Sequence, residues 1–145
     1  VENMLEVHKN VNIPIASGER IYTRWGFREF LEKGAIQVIH LTSATLAASP
    51  RARRFVIWPI STMHLSRSMS AAAISTAAAL QIETVIPNFL IHEVHEGAIK
   101  KEVCELGKYS IQPVNGVYTV PDRPGIGQEL SDKAMAEAVN VYTFK

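Results

Sequence analysis

The spacing of apolar and polar residues along this chain predicts helices that alternate with short strands. Apolar runs predict strands at residues 11–16 and 35–39. Between them, residues 22–32 carry apolar side chains at helical spacing, and Gly34 supplies a helix C-cap. A helix between two strands is a βαβ unit, so this region favours a parallel sheet.

The rest of the pattern predicts further elements of both kinds. We expect strands at residues 55–58 and 87–93, and helices at residues 2–10, 70–81, 98–106 and 131–139. Ser131 or Asp132 is expected to cap the last helix. Trp25 and the other aromatic residues of the helix at residues 22–32 are expected to lie in the core.

Length and composition narrow the class of protein. The chain has 145 residues, 47% of them hydrophobic, a formal net charge of +1 and one cysteine. These values predict one soluble globular domain and exclude a disordered chain or a disulfide scaffold. No run approaches the roughly 20 apolar residues of a membrane helix and no signal peptide opens the chain, so we expect a cytoplasmic protein. A complete (β/α)-barrel needs about 250 residues, so this chain cannot be one.

The charges are unevenly distributed. Residues 33–82 contain no Asp or Glu, and residues 35–96 contain no Gly. This stretch holds a short basic run, Arg51, Arg53 and Arg54. Such a run without interleaved aromatic residues is more often a solvated face than a nucleic-acid site, so nucleic-acid binding is the weaker interpretation.

Carboxylates follow two of the predicted strands. Glu19 comes after the first strand and Glu93 ends the strand at residues 87–93. In parallel α/β folds, C-terminal strand ends line the active site, and carboxylate oxygens there suit Mg²⁺. From spacing alone, a cap or an ion pair is the commoner role for such residues.

His92, His95 and Cys104 are weaker candidates. The two histidines are three residues apart, so on a strand they point to opposite faces. This favours surface or supporting roles over a shared metal site. Cys104 has no evident partner for a disulfide or a zinc site.

Three segments carry a family resemblance: IPIASGERIYTRWGFREFLEKGAIQVI (13–39), ISTAAALQIETVIPNFLIHE (74–93) and QPVNGVYTVPDRPGIGQEL (112–130). They resemble sugar-acid dehydratases of the galactonate dehydratase type, in the mandelate racemase/muconate lactonizing branch of the enolase superfamily. The resemblance implies an α/β fold, the C-terminal part of a (β/α) TIM-type barrel. Residues 1–97 are then a partial barrel with the family's fifth to eighth strands, and residues 98–145 are its closing segment.

The resemblance also implies a chemistry. Members of that family bind Mg²⁺ with three strand-end carboxylates, and the metal stabilises the enediolate formed when a base removes the proton α to a carboxylate. Glu19 matches the third metal ligand, and Glu93 matches the eighth-strand acid that helps to stabilise the intermediate. The other ligands and one base come from earlier strands that this sequence does not contain.

The family pattern fails between residues 41 and 73. A Pro-Asp pair is expected where Leu41 and Thr42 stand, and a catalytic His is expected near Ser68 and Met69. Read one base earlier, the message for residues 41–50 can encode Pro-Asp-Val-Cys-His-Ala-Gly-Gly-Ile-Thr. In the same reading, residues 69–73 can become His-Val-Cys-Gly-Gly. We hypothesise two compensating frame errors, near His40 and near Ala73.

Sequencing the gene across codons 38–76 tests this hypothesis. We expect codons that spell the family's Pro-Asp and His-Val-Cys-Gly-Gly strings when read one base earlier. Codons incompatible with that reading would contradict it.

The resulting functional prediction is a fragment of a Mg²⁺-dependent dehydratase with little or no activity, because the Asp and His are missing. Three alternatives stay open. One is a non-catalytic remnant that forms homo-oligomers, or binds a full-length relative, through open sheet edges. The second is a racemase or cycloisomerase of the same superfamily. The third is a small anion or nucleic-acid binder that uses Arg51–Arg54.

Overall fold

The computed structural model describes residues 1–42, 62–66 and 72–139. The strands are β1 Ala16–Ser17, β2 Val38–Thr42, β3 Thr62–Ser66 and β4 Phe89–Glu93. The helices are α1 Glu2–Lys9, α2 Thr23–Glu32, α3 Ala72–Glu83, α4 Lys101–Cys104 and α5 Asp132–Ala136, with a 3₁₀ turn at Glu96–Ile99. None of the helices in this described part of the chain has the length and apolar character needed to cross a membrane.

The four described strands form one parallel sheet in the order β1-β2-β3-β4. Val38 of β2 pairs with Ala16 on one side and with Thr62 on the other. Because every strand runs in the same direction, all their C-terminal ends lie along one edge of the sheet. Sequential order and parallel direction are the arrangement of a (β/α)-barrel segment.

The strands begin later than the sequence pattern predicts, and the backbone explains why. The first strand starts at Ala16 instead of Val11; Pro14 has no N–H to donate, and the amide of Ile15 donates to Oε1 of Gln37 at 2.9 Å. The second starts at Val38 instead of Ala35. The amide of Ala35 is already used, because it donates to the carbonyl of Phe30 at 2.8 Å.

Helix α2 ends at the predicted glycine cap. Gly34 has φ +69° and follows the C-cap residue Lys33. Its amide donates to Leu31 at 3.1 Å, and the next amide donates to Phe30, which is the paired pattern of a Schellman motif. The turn directs the chain from the helix into β2.

One apolar core lies between α2 and the sheet. Phe27 and Leu31 of the helix pack against Ile39 and Leu41 of β2, and all four are buried. The prediction for Trp25 was wrong, because this side chain is 62% exposed. Trp25 lies two residues before Phe27, about 200° around the helix, so the two cannot share the core-facing side.

Strand β3 falls inside the segment that departs from the family pattern. Residues 62–66 still pair in parallel with β2 and β4. Strand pairing joins backbone N–H and C=O groups, which every residue except proline carries, so it needs no particular side chains. The strand predicted at residues 55–58 lies outside the described residues, and the hypothesis of frame errors stays a prediction.

Helix α3 is enclosed on nearly every side. Its small residues, which include Ala77 and Ala79, are fully buried, and the C-terminal segment packs on it through Ile111. Small side chains let neighbouring backbones approach closely, so an alanine-rich helix suits this enclosed position. The closing helix α5 is capped as predicted, since Oγ of Ser131 accepts from the amide of Ala134 at 3.1 Å.

Helix α1 is tied to the end of α2 by an exposed ion-pair group. The Lys33 ammonium donates to Glu2 and to Glu29, each at 2.6 Å. These hydrogen bonds raise the pKa of Lys33, and the bond from Lys33 lowers the pKa of Glu2. The groups are exposed, so the pairs orient α1 more than they stabilise the fold.

Candidate functional site

Glu93 ends β4 on the face of the sheet away from helices α2 and α3, here called the inner face. Side chains alternate along a strand, and His92 points towards α3, so Glu93 points to the opposite face. On β2, Ile39 and Leu41 face the core with α2, which places His40 on the same inner face as Glu93. The C-terminal ends of β2 and β4 therefore present His40 and Glu93 to each other across β3.

Two imidazoles flank the Glu93 carboxylate. Nε2 of His40 lies 3.0 Å from Oε2, and Nε2 of His95 lies 3.8 Å from Oε1. His40 is largely buried and Glu93 is about one-third exposed. The His95 separation is too long for a hydrogen bond, so His40 is the closer of the two imidazoles. A carboxylate beside imidazoles is a group that can take part in proton transfer.

Gly18 positions the other predicted residue, Glu19. Its φ is +127°, and a Cβ built on it would lie 2.6 Å from Cζ of Phe27 and 3.1 Å from the carbonyl oxygen of His40. Only glycine lets the backbone pass this close to the core while it turns out of β1. The turn brings Glu19 to the C-terminal edge, where its carboxylate lies 3.4 Å from Nε of Arg20.

In the described part of the chain, Glu19 does not belong to a formed metal centre. Among the side chains that the structure describes, no three His, Cys, Asp or Glu lie close enough together to hold a metal ion. Mg²⁺ takes near-octahedral oxygen coordination, usually with one or two carboxylates. The described residues therefore do not fit Mg²⁺ by themselves.

His92 and His95 lie in different surroundings, although β4 ends at Glu93 and the strand alternation does not extend to His95. His95 contributes to the Glu93 group, whereas His92 lies on the other face in a buried pair with Glu83 of α3. Nδ1 of His92 is 2.6 Å from Oε1 of Glu83, and the ring meets the edge of Tyr118 at 5.0 Å. This pair anchors β4 to α3, so it supports the strand that carries Glu93.

Two residues of this region were missed from the sequence. His40 gave no motif, although its place near the end of a predicted strand was a signal for a site residue. Glu83 is the first acid after the acid-free stretch, but a lone carboxylate on a helix is normally a surface residue. The Arg51–Arg54 run lies outside the described residues. The Cys104 thiol accepts from Gln112 at 3.0 Å, so it has a structural partner.

Known proteins provide an independent comparison. Among the curated relatives that match, arabinonate dehydratase of Saccharolobus solfataricus is 29% identical over 132 residues, covering 89% of this chain and 34% of the relative. D-galactarolactone cycloisomerase of Agrobacterium fabrum is 27% identical over 142 residues, covering 86% of this chain and 35% of the relative. The chain therefore spans about a third of the length of the curated relatives it matches.

A solved structure gives the same result for the fold. A member of the enolase superfamily from Salmonella Typhimurium is 40% identical, with a TM-score of 0.78, and the match covers 94% of this chain and 35% of that one. The family described as enolase C-terminal domain-like matches residues 1–134. This range includes residues 41–73, where the sequence departs from the family pattern. The chain thus belongs to the enolase C-terminal domain-like family of the enolase superfamily, and its sheet is part of that family's TIM-type barrel.

Proposed function

We propose that this chain is the C-terminal part of a sugar-acid dehydratase. The intact enzyme removes the proton α to the carboxylate of an aldonic or related acid and expels the β-hydroxyl as water. The observation that carries the proposal is the Glu93 carboxylate between two imidazoles at a C-terminal strand end. The similarity to an arabinonate dehydratase supports the substrate class.

Glu93 is the residue we assign to the acid that stabilises the intermediate. Loss of the α-proton places negative charge on the substrate carboxylate oxygens. A protonated Glu93 can donate a hydrogen bond to that charge, and His40 and His95 can return a proton to it or orient it. His40 lies on β2, Glu93 ends β4 and His95 precedes the 3₁₀ turn, and the closeness of these three residues supports the assignment.

We propose Mg²⁺ binding only for the intact enzyme. We propose that Glu19 is one of its ligands there and that carboxylates from other strands complete the set. Bound Mg²⁺ would stabilise the charge that develops on the substrate carboxylate. In the described residues the Glu19 carboxylate lies 3.4 Å from Nε of Arg20.

We therefore expect the 145-residue chain to turn over sugar acids at least about a hundredfold more slowly than an intact dehydratase. The reason is the missing general base, whose contribution is typically 10²- to 10⁴-fold. The measurement is formation of the 2-keto acid from D-arabinonate and D-galactonate with Mg²⁺ present, with an intact dehydratase as the positive control. Turnover comparable to the control would contradict this prediction.

A cycloisomerase is the second candidate function, and the specific observation in its favour is the similarity to D-galactarolactone cycloisomerase. Proton removal α to a carboxyl group is a first step that both reactions can share. The reaction product distinguishes a dehydratase from a cycloisomerase, and it is measured with an enzyme that also contains the upstream strands. A 2-keto acid with loss of water indicates the dehydratase, whereas an isomer of unchanged mass indicates the cycloisomerase.

A further inference from the structure

Strand β4 contains an irregularity directly before the residues of the candidate site. In its pairing with β3, Met63 lies opposite Phe89, whereas the next residue, His64, lies opposite Ile91. Leu90 is therefore an extra residue on β4, as in a β-bulge. An extra residue exchanges the faces of all the residues that follow it, and such bulges often direct side chains next to active sites. The bulge thus decides which side chains at the end of β4 face inward.

A regular ladder without the extra residue is the alternative register of β4. In the observed pairing Ser66 lies opposite Glu93, and without the bulge it would lie opposite His92. Because side chains alternate along a strand, Glu93 would then face α3, where the Glu83 side chain is only 5% exposed. Two carboxylates brought together out of water repel each other. The acid on α3 therefore disfavours the regular ladder, although that ladder would leave no residue of β4 unpaired.

In the observed register the ring of His92 is held by two other elements. Its Nδ1 lies 2.6 Å from Oε1 of Glu83 on α3. The same ring meets the edge of Tyr118 in the C-terminal segment, with the ring centres 5.0 Å apart and the planes at 61°. That segment is tied to α3, because the side-chain amide of Gln81 donates to the carbonyl oxygen of Pro121 at 2.8 Å. A directional hydrogen bond and a ring contact together accept His92 in one alignment of the strand.

We propose that Glu83 and His92 are positioning residues, which select the register of β4 that brings Glu93 into the site. The inference rests on the role proposed above for Glu93. A buried polar pair discriminates between registers because only one alignment satisfies it, whereas apolar side chains pack acceptably in several. Selection of the bulged register keeps the Glu93 carboxylate 3.0 Å from Nε2 of His40.

Reversing the charge on α3 tests the proposal. Glu83→Lys removes the acceptor for Nδ1 of His92 and offers a cation to Glu93, so it should favour the regular ladder. The measurement is NMR of the purified 145-residue chain, in which nuclear Overhauser contacts between the backbones of Ser66 and Glu93 report the bulged register. The unmodified chain should give one set of β4 amide signals. Glu83→Lys should give a second set, at a population above about 10%, with contacts from Ser66 to His92 instead.

Glu83→Gln is the matched control, because its side-chain oxygen still accepts from Nδ1 of His92. It should keep one set of β4 signals and the contacts from Ser66 to Glu93. Both substitutions change a buried group, so a loss of stability does not distinguish them and only the register does. The proposal is overturned if Glu83→Lys folds with the contacts of the unmodified chain, or if Glu83→Gln shifts the register as much as Glu83→Lys does.

Hydrogen exchange in the unmodified chain keeps the test decisive if Glu83→Lys does not fold. If the pair holds the register, one opening releases both the Nδ1 proton of His92 and the amides of β4, so their protection should agree within about tenfold. An Nδ1 proton protected far less than those amides would show that the register persists without the pair, which overturns the proposal. Neither measurement uses a substrate. Failure here therefore leaves the dehydratase proposal standing, and that proposal fails separately if the intact enzyme forms no 2-keto acid.

Discussion

Replacing Gly18 by alanine is expected to lower the free energy of unfolding by about 3 kcal/mol or more. Two effects combine at this position. The φ of +127° is strained for any residue with a side chain, and the new methyl group would press into the buried ring of Phe27. Phe27 is fully buried in the main core, so its ring cannot move aside without disturbing Ile39 and Leu41. Urea unfolding followed by circular dichroism measures the loss.

Gly34→Ala is the matched control for this substitution. Gly34 also has a positive φ, of +69°, but a Cβ there meets nothing within 4 Å. Its cost should be about 1 kcal/mol, from backbone conformation alone. If Gly18→Ala lowers the free energy of unfolding no more than Gly34→Ala does, contact between residue 18 and the core is not the reason that glycine is needed in this turn. Phe27→Leu in the Gly18→Ala background should recover part of the loss, because it removes the ring that the methyl group meets.

Replacing Glu83 by leucine is expected to cost about 3 kcal/mol, a large fraction of the stability of a typical domain. The side chains of Glu83 and His92 are only 5% and 6% exposed, so the substitution leaves a buried imidazole without its partner. Nε2 of His92 already lacks a hydrogen-bond partner within the described structure. Removal of the carboxylate would leave both ring nitrogens unsatisfied, and each carries a desolvation penalty.

Two comparisons separate this burial effect from the loss of an ion pair as such. Glu129→Leu breaks the exposed pair of Lys108 and Glu129, which are 2.8 Å apart, and should cost less than about 0.5 kcal/mol. The double variant Glu83→Leu, His92→Phe replaces both buried partners by apolar groups and should recover most of the stability. A double variant as unstable as Glu83→Leu alone would contradict the buried-pair explanation. The free energies come from urea titrations at one pH.

The fold was predictable where local patterns and tertiary structure agree. Helix α2 could be predicted because its core positions Phe27 and Leu31 are four residues apart and Gly34 follows it. The N-cap at Ser131 could be predicted for a similar reason, since a cap depends on residues within one turn. The starts of β1 and β2 could not, because they depend on which amides are already donating elsewhere.

The candidate site was predictable only in part. Glu19 and Glu93 could be proposed because they follow strands and match a family motif. Their assigned roles remain proposals. His40 had only its place near a strand end as a signal, and its pairing could not be predicted, because it contacts Glu93 across an intervening strand, fifty-three positions away in sequence. Trp25 was placed wrongly because an aromatic residue on a helix gives no indication of which side meets the sheet.

The sequence by itself determined the family resemblance, the alternation of helices and strands, and the two carboxylates at strand ends. These depend on residue type and on spacing over a few turns. Only the tertiary structure decided which groups surround Glu93, which histidine is buried with Glu83, and which faces of β4 stay exposed. Those features arise from the parallel register of distant strands, and register is set by pairing across the whole sheet instead of by any one segment.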